Sequence, residues 1–256
     1  MVDSSDGSAG DTDYGRVGAA YSEHRRPEPE IADAILAALG GARRVLNVGA
    51  GAGSYEPADR DVVAVEPSAA MRAQRPPHLT PAVDATAEHL PFGDDEFDAA
   101  MATFTVHQWA DLEAGLTELR RVTRGPVVLL TADPSLLERY WLVEYLPEVI
   151  RTEEQRFPTR ERIAAALGGG VRVEEVPIPL HCRDGFGEAY YGRPELLLDK
   201  SVQQAMSAFS HVSPDSIERF ERNLRSDLDS GRWDERHGRL RSRSHFRGSL
   251  ILIIAD

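Results

Sequence analysis

Cysteine is nearly absent from this chain of 256 residues, which contains only Cys182. A single thiol cannot form a disulfide within the chain, and it cannot supply the several thiolates of a cysteine-rich zinc site. We therefore predict a protein without a metal centre. A single cysteine also fits a protein of a reducing compartment.

Long apolar runs are also missing. No apolar stretch approaches the roughly 20 residues that a membrane-spanning helix needs, and the first residues, MVDSSDGSAGDTD, lack the basic start and the apolar core of a secretion signal. We expect a cytoplasmic protein that does not associate with membranes. Residues 1–13 are rich in Ser, Asp and Gly, so we expect them to be disordered.

Positive charge is scarce, since 29 Lys and Arg residues stand against 42 Asp and Glu residues, a net charge of −13. A phosphate backbone is bound by clustered Lys and Arg, so the balance disfavours nucleic acid as a partner. A basic stretch near the C-terminus contains Arg232, Arg236, Arg239, Arg241, Arg243 and Arg247. We interpret it as a solvent-facing surface balanced by nearby acids, with an anion-binding surface as the alternative.

The most informative segment is VLNVGAGAGSYEP, at residues 45–57. A short apolar run there breaks into a glycine loop, whose candidate binding residues are Gly49, Ala50, Gly51 and Gly53. Glycine accepts backbone angles denied to other residues and lets a ligand approach the main chain. Thirteen residues after the loop, the apolar run 62–65 ends in Glu66, where a parallel strand would present a carboxylate to ribose hydroxyls. The pair indicates an adenosine-containing cofactor.

Segments with strand and helix character alternate along the chain, which predicts an α/β fold. Strands are predicted at residues 45–48, 62–65, 79–83, 97–104, 127–132, 171–178 and 250–255, and helices at 31–39 and 112–122. We expect a Rossmann-like, mostly parallel sheet of seven strands with helices on both faces.

A helical cap is predicted late in the chain. About 70 residues of helical character separate the last two predicted strands, too many for a loop in a compact domain. We predict a cofactor-binding core of residues 14–133, 166–180 and 246–256, and a cap of residues 134–165 and 181–245. Because ligands bind at the carboxyl ends of the strands in open α/β sheets, the cap is expected over that edge.

Further short motifs follow one another between residues 14 and 133. They are Tyr21 to Arg25, Glu66-Pro67-Ser68-Ala69-Ala70-Met71, Asp84-Ala85, Leu90-Pro91-Phe92 and His107-Gln108-Trp109. Together with the glycine loop, their order resembles that of the class I S-adenosylmethionine-dependent methyltransferases, in the small-molecule branch that includes the ubiquinone and menaquinone C-methyltransferases. The resemblance implies S-adenosyl-L-methionine as cofactor and methyl transfer to a small-molecule acceptor.

The resemblance also implies roles for individual residues around the cofactor. Tyr21, with Arg25 or Arg26, would fold over its amino-acid portion, where a guanidinium pairs well with a carboxylate. Asp84 and Ala85 would contact the adenine. The remaining cofactor candidates are Pro67, Met71 and Thr103.

The chain departs from the family pattern at Asn47, where the family usually carries Asp or Glu. An amide still forms hydrogen bonds but brings no charge, so the departure bears on cofactor affinity. It keeps two alternatives open, a methyltransferase-like protein that performs cyclisation or elimination and a non-catalytic partner in a complex. An NAD-dependent oxidoreductase is disfavoured by the family-like stretch 84–109.

Methyl transfer requires above all that the acceptor be held in line with the methyl carbon and that water be excluded. His107 is the candidate base for an acceptor that begins protonated, with a structural or cofactor-facing role as the alternative. The candidate walls of the acceptor pocket are Trp141, Tyr145, Phe186, Tyr190, Tyr191 and Arg193. A packed, hydrogen-bonded junction is the alternative for residues 181–194. The acceptor, the methylated atom and the oligomeric state stay open.

Overall fold

The computed structural model of the protein describes residues 24–168 and 170–256. Tyr21 and the segment 1–13 lie outside the described residues. The location in the cell and the lack of a nucleic-acid partner stay predictions. Within the described ranges, no helix combines the length and the apolar character needed to cross a bilayer.

The described helices and strands alternate over the first half of the chain and become mainly helical after residue 133. The helices are α1 (Pro29–Leu39), α2 (Ala69–Ala73), α3 (Leu112–Arg121), α4 (Leu142–Tyr145), α5 (Pro147–Arg156), α6 (Arg160–Ala166), α7 (Lys200–Gln204), α8 (Pro214–Asp229) and α9 (Arg232–His237). The strands are β1 (Arg44–Val48), β2 (Asp61–Val65), β3 (Ala99–Thr103), β4 (Val127–Ala132), β5 (Val171–Glu175), β6 (Ile178–Pro179), β7 (His245–Phe246) and β8 (Leu250–Ala255). Short 3-10 helices occupy Val106–Gln108, Pro134–Arg139, Gly187–Tyr190, Pro194–Leu198, Ser207–His211 and Gly238–Ser242.

The central sheet has the strand order β2-β1-β3-β4-β8-β5. Strands β1 to β4 pair in parallel, and β8 runs antiparallel to both β4 and β5. Every residue of β4 and β8 is buried, as expected of strands covered on both faces. The predicted α/β fold with a mostly parallel sheet is confirmed.

The sheet has six strands within the described residues, so the predicted seventh is not found there. Residues 79–83 contribute a single parallel bridge, between Val83 and Val65. Pro81 lies inside that run, and proline cannot donate to a ladder of hydrogen bonds. The predicted strand 171–178 is also divided, because β5 ends at Glu175 and β6 pairs with β7 in a separate two-stranded sheet.

Helices cover both faces of the sheet, as predicted. In α1 the buried residues Ile31, Ile35 and Leu39 recur every four positions, which places them on one side of the helix. Neighbouring residues of β1 belong to different hydrophobic clusters, since Val45 packs with α1 and Leu46 packs with α3 and α6. Because successive side chains of a strand point to opposite faces of the sheet, the sheet separates two hydrophobic cores.

The basic stretch near the C-terminus is paired with acids over much of its length. Arg236 contacts Glu144 and Asp227, Arg241 contacts Glu195 and Asp234, and Arg232 and Arg247 contact Asp227 and Glu175. These arginine side chains are 33–59% exposed. The contacts support the interpretation of a solvent-facing surface balanced by carboxylates.

A cluster of aromatic residues holds the late helices together. Trp233 of α9 is fully buried, and its ring meets that of Trp141 edge-on, with centroids 5.4 Å apart. The Trp141 ring also contacts Tyr140 and Tyr145. Among the described residues the indole Nε1 of Trp233 has no hydrogen-bond partner, and the Arg241 guanidinium lies 4.8 Å from the ring centroid, so Trp233 contributes through the contacts of its ring.

We expect Trp233→Ala to lower the free energy of unfolding by about 3–5 kcal/mol, because it leaves a cavity in a close-packed cluster. Trp233→Phe should lose clearly less, since it keeps a ring and breaks no hydrogen bond. Denaturant unfolding of both variants measures the difference. Equal losses would contradict the packing role.

Candidate functional site

A cleft of about 820 Å³ opens at the carboxyl ends of β1 and β3. That edge is where open α/β sheets bind ligands. The lining residues are Arg25, Val48, Gly49, Ala50, Gly51, Ala52, Ser54, Tyr55, Glu66, Pro67, Met71, Ala87, Thr103, Phe104, Thr105, Gln108, Trp109 and Asp184. The glycine loop and Glu66 therefore face the same space.

Close packing requires the first glycine of the loop. Gly49 has φ of 69°, and a Cβ there would lie 2.1 Å from Oγ1 of Thr105. The amides of Gly49 and Ala50 both donate to the carbonyl of Val65, at 2.9 Å. The loop is thereby fixed against β2 and against the segment that follows β3.

Glu66 is buried, and its carboxylate orientation is set by backbone amides. One oxygen accepts from the amide of Gly51 and the other from that of Ser68, both at 2.8 Å. Burial raises the pKa of Glu66 above its usual value, and the two amide hydrogen bonds oppose that shift. A carboxylate has about four acceptor sites, so it keeps capacity for ligand hydroxyls.

Asn47 has a partner that explains the absent acid. Its Nδ2 donates to Glu56 at 3.1 Å, and Glu56 forms a bidentate ion pair with Arg75, at 2.9 and 3.0 Å. Both side chains of that pair are almost fully buried. A carboxylate at position 47 would be repelled by Glu56, whereas an amide can donate to it. The negative charge that the family usually carries at position 47 is therefore supplied here by the neighbouring side chain of Glu56.

Asp184 joins three parts of the chain at the cleft. Arg25 Nε donates to its Oδ1, and the hydroxyl of Tyr55 donates to its Oδ2 at 2.8 Å. The amide of Gly185 donates to the carbonyl of His24 at 2.8 Å, so the backbones of the two segments also pair. Sequence reasoning missed Asp184 and Tyr55, although ionisable side chains are concentrated around residue 184.

A second cavity of about 960 Å³ shares Arg25, Phe104 and Gln108 with the cleft. Its other lining residues are His107, Ala132, Leu137, Tyr140, Leu142, Val149, Ile150, Glu153, Phe157, Phe186, Gly187, Glu188, Met206, Ser207, Ala208, Phe209, Ser249 and Leu250. Most of the side chains are apolar, with a few polar groups among them, which is typical of a small-molecule site.

Phe104 lies in the wall between the two spaces. Its φ of 52° is unusual for a bulky residue and marks local backbone strain. Its ring contacts that of Phe186, with centroids 5.2 Å apart, and the Arg25 guanidinium lies 5.1 Å from its centroid. Strained residues cluster at functional sites, and no motif in the sequence had indicated this one.

Glu188 is the most deeply buried acid of the second cavity. Burial raises the pKa of its carboxyl to about 7, against the opposing hydrogen bonds from Ser249. Burial, followed by the negative charge of Glu188, raises the pKa of Tyr140 well above its ordinary value.

Known proteins resemble the chain in sequence and in fold. A family described as a methyltransferase domain matches residues 46–130. The chain is 32% identical over 171 residues to malonyl-[acyl-carrier protein] O-methyltransferase of Enterobacter lignolyticus, an alignment that covers 61% of the chain and 66% of the relative. It is 37% identical over 124 residues to demethylmenaquinone methyltransferase of Renibacterium salmoninarum, covering 45% and 51%. The chain thus spans less than two thirds of these relatives.

A crystal structure extends the likeness over nearly the whole chain. It is that of a proposed methyltransferase from an antibiotic biosynthesis pathway of Anabaena variabilis ATCC 29413, with a TM-score of 0.84 and 28% identity. The match covers 91% of this chain and 99% of that one. Residues 46–130 thus form a methyltransferase domain of the class I S-adenosylmethionine-dependent type. S-adenosylmethionine is the cofactor of that family.

Most of the predicted cofactor residues meet in the cleft. Those in its lining are Arg25, Gly49, Ala50, Gly51, Glu66, Pro67, Met71 and Thr103. Gly53 and Arg26 instead line an adjoining depression beside α1. Asp84 pairs with Arg72 at 2.8 Å and is largely exposed, and neither it nor Ala85 lines the cleft. Their binding roles stay predictions.

Among the side chains predicted to bind the acceptor, Phe186 and the candidate base His107 line the second cavity. The others are engaged elsewhere in the protein. Trp141 Nε1 donates to the carbonyl of Tyr191, and the Tyr145 hydroxyl donates to Asp227. The Tyr191 hydroxyl donates to the carbonyl of Arg243. Arg193 donates to the carbonyl of Ala189 and lies over the Tyr190 ring. These contacts match the alternative of a packed junction.

Apolar residues of α5 and its neighbours form the wall that the sequence reasoning missed. Val149, Ile150 and Glu153 of α5 line the cavity, and Glu153 follows the other two by four and three residues, which places all three on one face of the helix. Phe157, just after the helix, lines the cavity as well. That spacing was a signal available in the sequence. It does not by itself distinguish a cavity wall from a core.

We expect Glu188→Gln to gain stability relative to the wild type as the pH rises from about 5 to about 8. The carboxyl pKa is 4.5 ordinarily and about 7 in the folded chain. The Glu188 carboxyl therefore contributes fully to the free energy of unfolding of the wild type below pH 4.5, and this contribution is lost as the pH rises through about 7.

Melting temperatures of the two proteins, compared across this pH range, test that expectation. The other groups that interact electrostatically with Glu188, among them Arg139, Glu153 and Tyr140, are present in both proteins. A difference in melting temperature that does not change with pH would contradict the assignment.

Proposed function

We propose that the protein transfers a methyl group from S-adenosylmethionine to a small, largely apolar organic acceptor. The observation that carries this proposal is the shared wall of Arg25, Phe104 and Gln108, which places a cofactor-type cleft directly beside an apolar cavity. Adjacent sites of this kind suit a transfer between two bound molecules, because they replace a bimolecular encounter by a fixed geometry.

The residues of the cleft fit the cofactor. The glycine loop leaves main chain open to adenosine, and the buried Glu66 faces the same space, where it would accept from ribose hydroxyls. Arg25 would pair with the amino-acid carboxylate, and Tyr21 would complete the lid over that end. When bound, S-adenosylmethionine supplies an electrophilic methyl group.

The second cavity would hold the acceptor and exclude water. The helices of residues 134–165 and 181–245 would act as the cap that closes it, in the domain division predicted from the sequence. His107 lines this cavity beside Gln108 of the shared wall, and its ring packs on Phe157 with centroids 4.3 Å apart. It would take a proton from an acceptor that begins protonated.

The names of the relatives support a biosynthetic intermediate as the acceptor. Those matched in sequence are named for a malonyl-[acyl-carrier protein] and for demethylmenaquinone, and the matched structure is assigned to an antibiotic pathway. Their acceptors differ, so they define a broad class of substrate.

We expect Glu66→Ala to weaken S-adenosylmethionine binding at least about tenfold, since a hydrogen bond to a charged group contributes about 1.5–3 kcal/mol. Calorimetric titration measures the affinity. Glu195→Ala, which removes an exposed acid paired with Arg241, is the matched control and should bind as the wild type does.

Two outcomes of that titration are decisive. Unchanged affinity in a folded Glu66→Ala chain would remove Glu66 from the site. A wild-type chain that does not bind S-adenosylmethionine would overturn the proposed function. With a candidate acceptor added, release of S-adenosylhomocysteine and of methylated product separates methyl transfer from other chemistry on the same fold.

Asp184→Asn tests whether the position of Arg25 matters. The amide keeps the size of the side chain but loses the charge that holds the guanidinium, so we expect about tenfold weaker cofactor binding, or about 1.4 kcal/mol. Amide exchange at residues 24–26 should be faster in the variant. Unaltered exchange and affinity would show that Arg25 is positioned without Asp184.

A further inference from the structure

We propose that the second cavity selects acceptors that carry a neutral hydroxyl group, which donates a hydrogen bond to Glu188 and accepts one from Tyr140. The inference rests on the proposed function, because it names the acceptor class for the same site. It assigns to Glu188 and Tyr140 a role in specificity.

Glu188 is held by hydrogen bonds from Ser249 and not by a paired cation among the described residues. Its carboxylate accepts from the Ser249 amide at 2.9 and 3.0 Å and from the Ser249 hydroxyl at 2.8 Å. In the part of the chain that the structure describes, no salt bridge reaches Glu188. Gly248 allows this contact, since a Cβ there would lie 2.3 Å from Oε1 of Glu188.

The other two charged side chains of the cavity have partners of opposite sign. Arg25 pairs with Asp184, and Glu153 pairs with Arg156 at 2.7 Å. A buried carboxylate is costly unless it is well hydrogen-bonded. Glu188 is therefore the charge in this cavity that a ligand donor would stabilise most.

The Tyr140 hydroxyl supplies the second half of the site. Tyr140 lines the cavity with 2% of its surface exposed, and its hydroxyl has no hydrogen-bond partner among the described residues. Buried hydroxyls normally have a partner, so each exception calls for an explanation. A hydroxyl on the acceptor would satisfy it.

The pair of groups discriminates between ligand types. A hydroxyl both donates and accepts, so it matches Glu188 and Tyr140 together. An ether cannot donate to Glu188, and a carboxylate would be repelled by it. Neither Glu188 nor Tyr140 belongs to the wall shared with the cleft. They would hold a part of the acceptor other than the atom that receives the methyl group.

Three matched probes test the inference on the full chain saturated with S-adenosylhomocysteine. Equilibrium dialysis at about pH 8, where the Glu188 carboxyl is mainly ionised, measures binding of 2-naphthol, 2-methoxynaphthalene and 2-naphthoate, which differ only in the polar group. We expect the wild type to bind 2-naphthol at least about tenfold more tightly than either of the others, the discrimination expected where one buried hydrogen bond is lost.

The variants assign that preference to the two residues. Glu188→Gln should reduce the ratio of naphthol to naphthoate affinity at least about fivefold, because the repulsion is removed and an amide can donate. Tyr140→Phe should weaken 2-naphthol binding and provides a second test if Glu188→Gln does not fold. Glu195→Gln, which removes an acid outside the cavity, should match the wild type.

The outcomes separate this inference from the proposed function. Equal affinity of the wild type for 2-naphthol and 2-methoxynaphthalene, with S-adenosylhomocysteine bound, would overturn the hydroxyl preference alone. The same holds if the preference persists unchanged in folded Glu188→Gln and Tyr140→Phe chains. A wild-type chain that does not bind S-adenosylhomocysteine would overturn both proposals.

Discussion

The contact on which the candidate site depends is the one between Asp184 and Arg25. A carboxylate that follows β6 pairs with a guanidinium that precedes α1, and the hydroxyl of Tyr55, next to the glycine loop, completes the arrangement. These residues are far apart in sequence, yet all three line the cleft. Because Arg25 also lines the second cavity, the same pairing helps to define the boundary between the two spaces.

Four buried acids near the cavities are stabilised in four different ways. Glu56 has the guanidinium of Arg75, Asp184 has a guanidinium and a phenol, and Glu66 has two backbone amides. Glu188 has one serine. A guanidinium thus pairs with each of the first two acids, whereas Glu66 and Glu188 have only uncharged donors and keep capacity for further hydrogen bonds from a ligand.

Most of the aromatic residues predicted for the acceptor pocket pack in the core of the cap region instead of lining the second cavity. Trp141, Tyr145 and Tyr191 are large enough to stabilise a cap of short helices, and they are buried against one another and against Trp233 and Phe246. Aromatic side chains contribute much buried area per residue. They are therefore engaged in the core, and a different set of apolar side chains, among them Phe157, Phe186 and Phe209, borders the cavity.

The sequence by itself determined the parts that depend on local pattern. Glycines at fixed spacing, an acid at the end of the next strand and helices of regular apolar period can be recognised within about 20 residues, and they predicted the α/β fold, the cleft and the family. Tertiary structure alone decided the rest. Asp184 pairs with Arg25, Glu56 and Arg75 lie beside Asn47, and Glu188 and Tyr140 line one cavity. The separation of these residues along the chain carries no periodic signal. Such contacts are set by how helices pack, because packing determines which polar groups lose water together.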